Sequence, residues 1–299
     1  MKLKSTILFF SLLIFFKSAQ AQWLAIDSLH DYCRICNKGQ HLIGQPYNSS
    51  FKKEWPYLLG SATLLATGYM MQTTDKTKPF TEEQLNCLDK NTINSFDRVA
   101  TKFWSPSVAS ASDYMLIGIS LLPAMFLSEH NTRKDMKSLL IMTAEAFALN
   151  YGTTYIVKST VNRARPYTYC TDLPIEIRTD KESRQSFYSG HTSQTAAATF
   201  LFAKVISDYH PDLQKGIKTG IWAFAIAVPS VEAYLRVKGG KHYPTDVITG
   251  YALGAVSGWL VPQLHRNFNY SHKKKKDIFN MGIAPTLNGG MVMNMKLQF

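Results

Sequence analysis

Apolar positions along the chain gather into six runs, at roughly residues 55–74, 107–128, 138–157, 190–206, 216–235 and 244–264. Each is rich in Leu, Ala, Ile, Met and Gly, with prolines mostly at the edges, a composition that predicts helices. Pro123, Pro229 and Pro262 fall inside runs and mark candidate kinks. Six such runs predict an all-α fold, a six-helix antiparallel bundle. After Met281 the pattern changes. Asn288-Gly289-Gly290 is a turn signal, and Met291, Met293, Met295, Leu297 and Phe299 alternate with Val292, Asn294, Lys296 and Gln298. Period two beside a glycine turn predicts a C-terminal β-hairpin packed on the bundle.

Three polar segments break this apolar background at helix boundaries. The first is Lys158-Ser-Thr-Val-Asn-Arg-Ala-Arg165-Pro166, at the end of the third run. Seven residues are about two helical turns, so Lys158 and Arg165 are expected on one face. The second is Ser189-Gly190-His191, where a serine cap and a glycine open the fourth run and turn free N–H groups outward, a setting that favours an anion. The third is Arg236 followed by His242 and Asp246, across the junction of the fifth and sixth runs. Pro244 places His242 in the loop before a helix and Asp246 in its first turn, where the carboxylate can orient the imidazole. In an antiparallel bundle all these places share one end.

Lys158, Arg165 and Arg236 supply the positive charge that a phosphoryl group in flight requires, the arginines as planar forks and the lysine as a point charge. Ser189 and the amide of Gly190 add hydrogen-bond donors. Together the segments predict a phosphate pocket that needs no metal and no cofactor.

In this order the motifs resemble those of the type 2 phosphatidic acid phosphatase and vanadium haloperoxidase superfamily, with the pattern K-x₆-R-P, P-S-G-H and S-R-x₅-H-x₃-D. The match runs from Lys158 to Asp246 and, with flanking helices, covers about residues 55–264. The resemblance implies the bundle of that family, with His242 as nucleophile, Asp246 as its orienting partner and His191 as general acid. It makes Lys158, Arg165, Ser189, Gly190 and Arg236 the phosphate clamp. The implied reaction is hydrolysis of phosphate esters, of lipid phosphates or pyrophosphates or of small soluble monoesters, through a phosphohistidine. A vanadium haloperoxidase and a non-catalytic envelope protein are the alternatives. Two positions depart from the pattern: Tyr188 stands where the family has proline and Leu235 where it has serine. Tyr188 is expected to reshape the pocket mouth.

Composition narrows the setting. Net charge is +12, or +9 without residues 1–21, which carry Lys2, Lys4 and Lys17. No nucleic-acid motif accompanies that charge, so it points to phosphate or an anionic membrane surface. Residues 1–21 read as a secretory signal, with Ile7 to Phe16 as the apolar stretch and Ala19-Gln20-Ala21 as the cleavage site. Residues 22–54 form a mixed polar lead, 55–264 the helical phosphatase domain, and 265–299 a basic tail with Lys273 to Lys276 and the hairpin. Cys33, Cys36, Cys87 and Cys170 allow three disulfide pairings in an exported chain. Most uncharged stretches within the runs are shorter than the roughly 20 residues of a membrane span. A cleaved signal followed by six spans would also turn the pocket to the cytoplasm. The sequence therefore predicts an exported protein, periplasmic or membrane-associated, with six integral spans as the alternative.

Overall fold

The structure is a computed structural model that describes residues 45–47, 51–73, 78–267, 280–285 and 291–296. The signal residues, Cys33, Cys36 and the Lys273–Lys276 run lie outside the described residues. Among the described residues six long helices carry the fold: α1 (Phe51–Gln72), α2 (Pro106–Ser120), α3 (Met136–Val161), α4 (Gly190–Tyr209), α5 (Lys215–Lys238) and α6 (Pro244–Leu264). Shorter helical turns fill the connections. Strands β1 (Asn280–Pro285) and β2 (Met291–Lys296) pair antiparallel, with Met281 opposite Met295.

The helix starts follow from local chemistry. Ser105 caps α2 by accepting from the Val108 amide at 3.4 Å, with Pro106 at the first helical position. Ser189 caps α4. Pro244 opens α6, and the Asp246 carboxylate returns to the Tyr243 amide at 3.0 Å. Of the three candidate kinks, Pro123 lies just past the end of α2 in a 3₁₀ turn, whereas Pro229 and Pro262 sit inside continuous helices.

Helix α4 is the centre of the molecule and packs against α2, α3, α5 and α6. It is buried on almost every side from Thr192 to Ile206, so its polar residues bond internally. Gln194 Oε1 accepts from Asn150 at 2.9 Å, and Thr199 donates to its own helix and to the Ala225 carbonyl at 3.1 Å. Below this polar layer, Leu139, Met142, Phe126, Leu201, Phe202 and Val205 form the apolar core.

Two contacts bring backbones together. A Cβ at Gly250, Gly254 or Gly258 of α6 would lie 2.5, 2.0 or 2.3 Å from the carbonyl oxygens of Ser189, Ser193 and Ala197 on α4. Both series ascend by four, so α4 and α6 run in the same direction, each starting at the same end. Gly152 of α3 likewise meets the backbone of Leu64 and Leu65, while Gly68 meets Gly152, Tyr155 and Ile156. Helices α1 and α3 are parallel by the same reasoning.

The outer surface is unusually apolar. Tyr114, Ile117 and Leu121 on α2, Ile226, Val231 and Tyr234 on α5, and Ile248, Val256 and Trp259 on α6 are all exposed. Three segments, Pro106–Leu127, Lys215–Lys238 and Pro244–Leu264, are long and apolar enough to cross a membrane. Within them Glu232 is turned inward and the lysines of α5 lie near its ends, whereas Asp113 stays more than half exposed in α2.

Candidate active site

The three motifs meet through laced loops. Arg165 N–H donates to the Ser183 carbonyl at 2.8 Å, Ser186 N–H to Arg163 at 3.0 Å, and Ser189 N–H to Asp246 at 3.1 Å. Gly240 has φ +73°, and a Cβ there would lie 2.2 Å from the Phe103 carbonyl oxygen. Only glycine suits that turn. It reverses the chain within four residues of Arg236 and delivers His242 to the same end.

Lys158 and Arg165 do not share a helix face. Helix α3 ends at Val161, and Asn162 closes it in the left-handed conformation at φ 49°. Arg165 therefore enters from a loop, with its side chain almost wholly buried. The pocket still gathers both: Arg165 and Arg236 act on the charge of Lys158, and Arg165, Arg236, Lys158 and His191 all act on His242.

His242 is completely buried. Its Nδ1 lies 2.7 Å from the Ser186 carbonyl oxygen. A carbonyl can only accept, so Nδ1 carries the proton and the neutral ring presents a free Nε2 lone pair. That Nε2 has no hydrogen-bond partner among the described residues. Burial first, then the nearby cations, push the His242 pKa well below the ordinary histidine range. The ring is neutral at physiological pH.

Asp246 was expected to orient His242 directly. Its Oδ2 instead lies 3.6 Å from Nδ1, beyond hydrogen-bond range. Both carboxylate oxygens are committed elsewhere: Oδ2 to Ser186 Oγ at 2.6 Å and to the Tyr243 amide, Oδ1 to Arg163 Nη1 at 2.5 Å. Asp246 fixes Ser186, and Ser186 fixes the histidine. Arg163 also reaches Asp97 at 2.7 Å and lies 4.0 Å over the Tyr243 ring. Asp97 in turn holds the amide and hydroxyl of Thr245 at 2.9 and 2.6 Å.

Among the described residues, Arg165 and Arg236 keep unpaired edges. Arg165 Nη2 pairs with Glu182 at 3.0 Å, leaving its buried Nε and Nη1 without partners. Arg236 Nη1 pairs with Asp113 at 3.0 Å, leaving Nε without one. Lys158 is lowered to about 7 by burial and then by Arg165, so a bound anion would restore its charge. His191 sits at the rim, and its Nε2 lies 2.9 Å from Asp113 Oδ1. Burial, then Arg236, lower its pKa to about 4 despite that carboxylate.

Ser189 Oγ is engaged within the helix cap, 3.4 Å from the Thr192 amide and 3.0 Å from Thr192 Oγ1. Its contribution at the pocket is the turn that presents the first amides of α4. Tyr188 does not reach the mouth. It is fully buried, with its hydroxyl 3.1 and 3.0 Å from those of Thr153 and Thr154 on α3. Cys87 and Cys170 are both free thiols, and Cys170 donates to the Thr101 carbonyl.

Comparison with known proteins finds one family model and several relatives that resemble part of the chain. Residues 139–270 match the family model of the PAP2 superfamily, a span that holds all three motifs. A decaprenylphosphoryl-5-phosphoribose phosphatase of Mycolicibacterium smegmatis is 36% identical over 114 residues, 38% of this chain and 53% of that protein. Its counterpart in Mycobacterium tuberculosis is 33% identical over 123 residues, 41% of this chain and 58% of that protein. The chain thus spans little more than half the length of these relatives. Phospholipid phosphatase 1 of Mus musculus is 33% identical over 32% of this chain and 36% of its own length. The crystal structure of a transmembrane PAP2-type phosphatidylglycerolphosphate phosphatase from Bacillus subtilis covers 75% of this chain and 99% of its own. It shares 19% identity, with a TM-score of 0.43.

Proposed function

We propose that the protein is a phosphatase that hydrolyses phosphate esters, lipid phosphates in particular, through a phosphohistidine on His242. The observation that carries this reading is the coincidence of unpartnered atoms. A buried, neutral imidazole offers Nε2 beside the open edges of Arg165 and Arg236. Leaving such groups unpaired costs stability, so their retention argues for an absent anionic ligand.

In the proposed reaction, Arg165, Arg236, Lys158 and the amides at the start of α4 hold the phosphoryl oxygens. His242 Nε2 attacks phosphorus, the bond to the ester oxygen breaks, and His191, which takes up a proton once the bound anion offsets Arg236 and Lys158, gives that proton to the departing oxygen. Water then attacks phosphorus as His191 takes its proton, the new phosphorus–oxygen bond forms as the phosphorus–nitrogen bond breaks, and inorganic phosphate leaves with His242 neutral again. Developing negative charge on the equatorial oxygens strengthens every clamp contact. None of these steps routes through a metal.

The lipid preference rests on the activities named for the relatives and on the apolar exterior. An exposed apolar surface of this extent favours contact with a membrane, and the three long apolar helices support membrane association. The pocket end would then lie where a phosphorylated headgroup can enter. Export with removal of residues 1–21 is part of the same reading and, with the bundle lying against the membrane and not across it, would place the pocket outside the cytoplasm.

The test is release of phosphate from short-chain phosphatidic acid and a prenyl phosphate by the full chain in detergent, with and without vanadate. Turnover is expected, inhibited by vanadate and abolished by His242→Ala. Retained turnover in that variant, or vanadate-dependent bromide oxidation in place of hydrolysis, overturns the reading.

A further inference from the structure

Asp113 belongs to none of the three motifs. It projects from α2, a helix outside the matched family segment, and is the one carboxylate among the described residues bonded to both Arg236 and His191. Oδ1 lies 3.0 Å from Arg236 Nη1 and 2.9 Å from His191 Nε2. Slightly more than half of the side chain remains exposed, so it borders the open side of the pocket. Its neighbour Ser112 is tied to Glu232 on α5 and receives Arg236 Nη1 at 3.3 Å, which fixes this part of α2 against the clamp.

Two consequences follow from that placement. A carboxylate bonded to His191 stabilises the imidazolium against Arg236 and Lys158, the cations that oppose it. An alcohol leaving from a monoester departs as a poor leaving group and needs that proton. Asp113 also sets a negative charge beside the departing oxygen. An alcohol leaves neutral once protonated, whereas the leaving phosphate of a diphosphate carries about −1.5 to −2 charges near pH 7. That group needs less protonation and is repelled.

We propose that Asp113 is a positioning residue that tunes the pocket towards phosphate monoesters of alcohols and against diphosphate esters. The inference rests on the phosphatase reading above. Its readout is a ratio between substrates, which general damage to the fold does not move.

The experiment compares kcat/KM for the monophosphate and diphosphate of one prenyl alcohol, using the full chain in detergent micelles. The wild type is expected to favour the monophosphate. Asp113→Asn should lower monophosphate turnover by about 10²-fold, the lower end of what a general acid contributes. It should raise the diphosphate-to-monophosphate ratio at least about tenfold, with Asp113→Glu restoring part of the original preference. An equal loss on both substrates would assign Asp113 to clamp support alone and overturn the proposal, as would a wild-type preference for diphosphate. Cleavage of neither substrate by the wild type would instead overturn the phosphatase reading on which the proposal stands.

Discussion

Arg163 offers the sharpest test of how the site is held. Its guanidinium joins two carboxylates with fully enclosed side chains, Asp97 and Asp246, at 2.7 and 2.5 Å. Arg163→Met would remove the shared cation and leave both charges in the interior. Breaking a buried ion pair costs about 3–5 kcal/mol. Asp97 would keep Asn94 and two donors from Thr245, and Asp246 would keep Ser186 and the Tyr243 amide. Those neutral donors place the expected loss near the lower bound, about 3 kcal/mol. At roughly 2–4 °C per kcal/mol for a domain of this size, Tm should fall by about 6–12 °C. Thermal unfolding of the purified protein in detergent, followed by circular dichroism, measures it. Asp97→Asn in the Arg163→Met background should recover part of the loss, because one stranded charge is gone. A Tm within 2 °C of the wild type for Arg163→Met would show that the network is not a structural support of the site.

Two further outcomes can be stated. With Lys158 held at about 7 in the free enzyme, its charge is present below that pH and lost above it, so kcat/KM should fall on the alkaline side of pH 7. Lys158→Arg should move that limb upward by more than about one pH unit, because arginine stays charged, and an unmoved limb would assign it to another group. Gly254→Ala would put a Cβ 2.0 Å from the Ser193 carbonyl oxygen, forcing α6 from α4 by more than 1 Å. The expected cost is about 1–3 kcal/mol with activity down about 10²-fold, read from unfolding and phosphate release. Wild-type values for both would show that the helices part freely.

The six apolar runs were legible because each is long and bounded by caps or charges; five recur as helices shifted by about four residues or fewer, while the second ends at Ser120 and continues as a 3₁₀ turn. The gathering of Lys158, Arg165, Arg236 and both histidines was legible because each lies at or beside a helix end. What was hidden depends on the path of the chain between those ends. The helical spacing of Lys158 and Arg165 suggested a shared face, but Asn162 turns left-handed and hands Arg165 to a loop. The acceptor of the His242 proton is a backbone oxygen of Ser186, a group that every residue possesses and no pattern marks. Asp113 and Asp97 come from segments remote from the motifs, and Arg163 stood inside the first motif without its partner in view. Tyr188 was read as a rim residue because proline is usual there, yet its hydroxyl finds threonines in the interior.

The glycine contacts between α4 and α6 have a mechanical consequence. Three successive carbonyls of α4 occupy the places of three missing side chains on α6, one per turn, so neither helix can slide along or roll over the other. The turn at Ser189 and the carboxylate of Asp246 sit at the common start of these locked helices and behave as two points on one ruler. Accommodation of a bulkier or differently shaped ester cannot come from changing their separation. It must come from the walls that carry Asp113 and Glu182, the helix α2 and the loop before α4, which are free of that interlock. Diversification of substrate choice on this frame would therefore be expected to accumulate in those two walls, while the α4–α6 seam stays invariant in spacing.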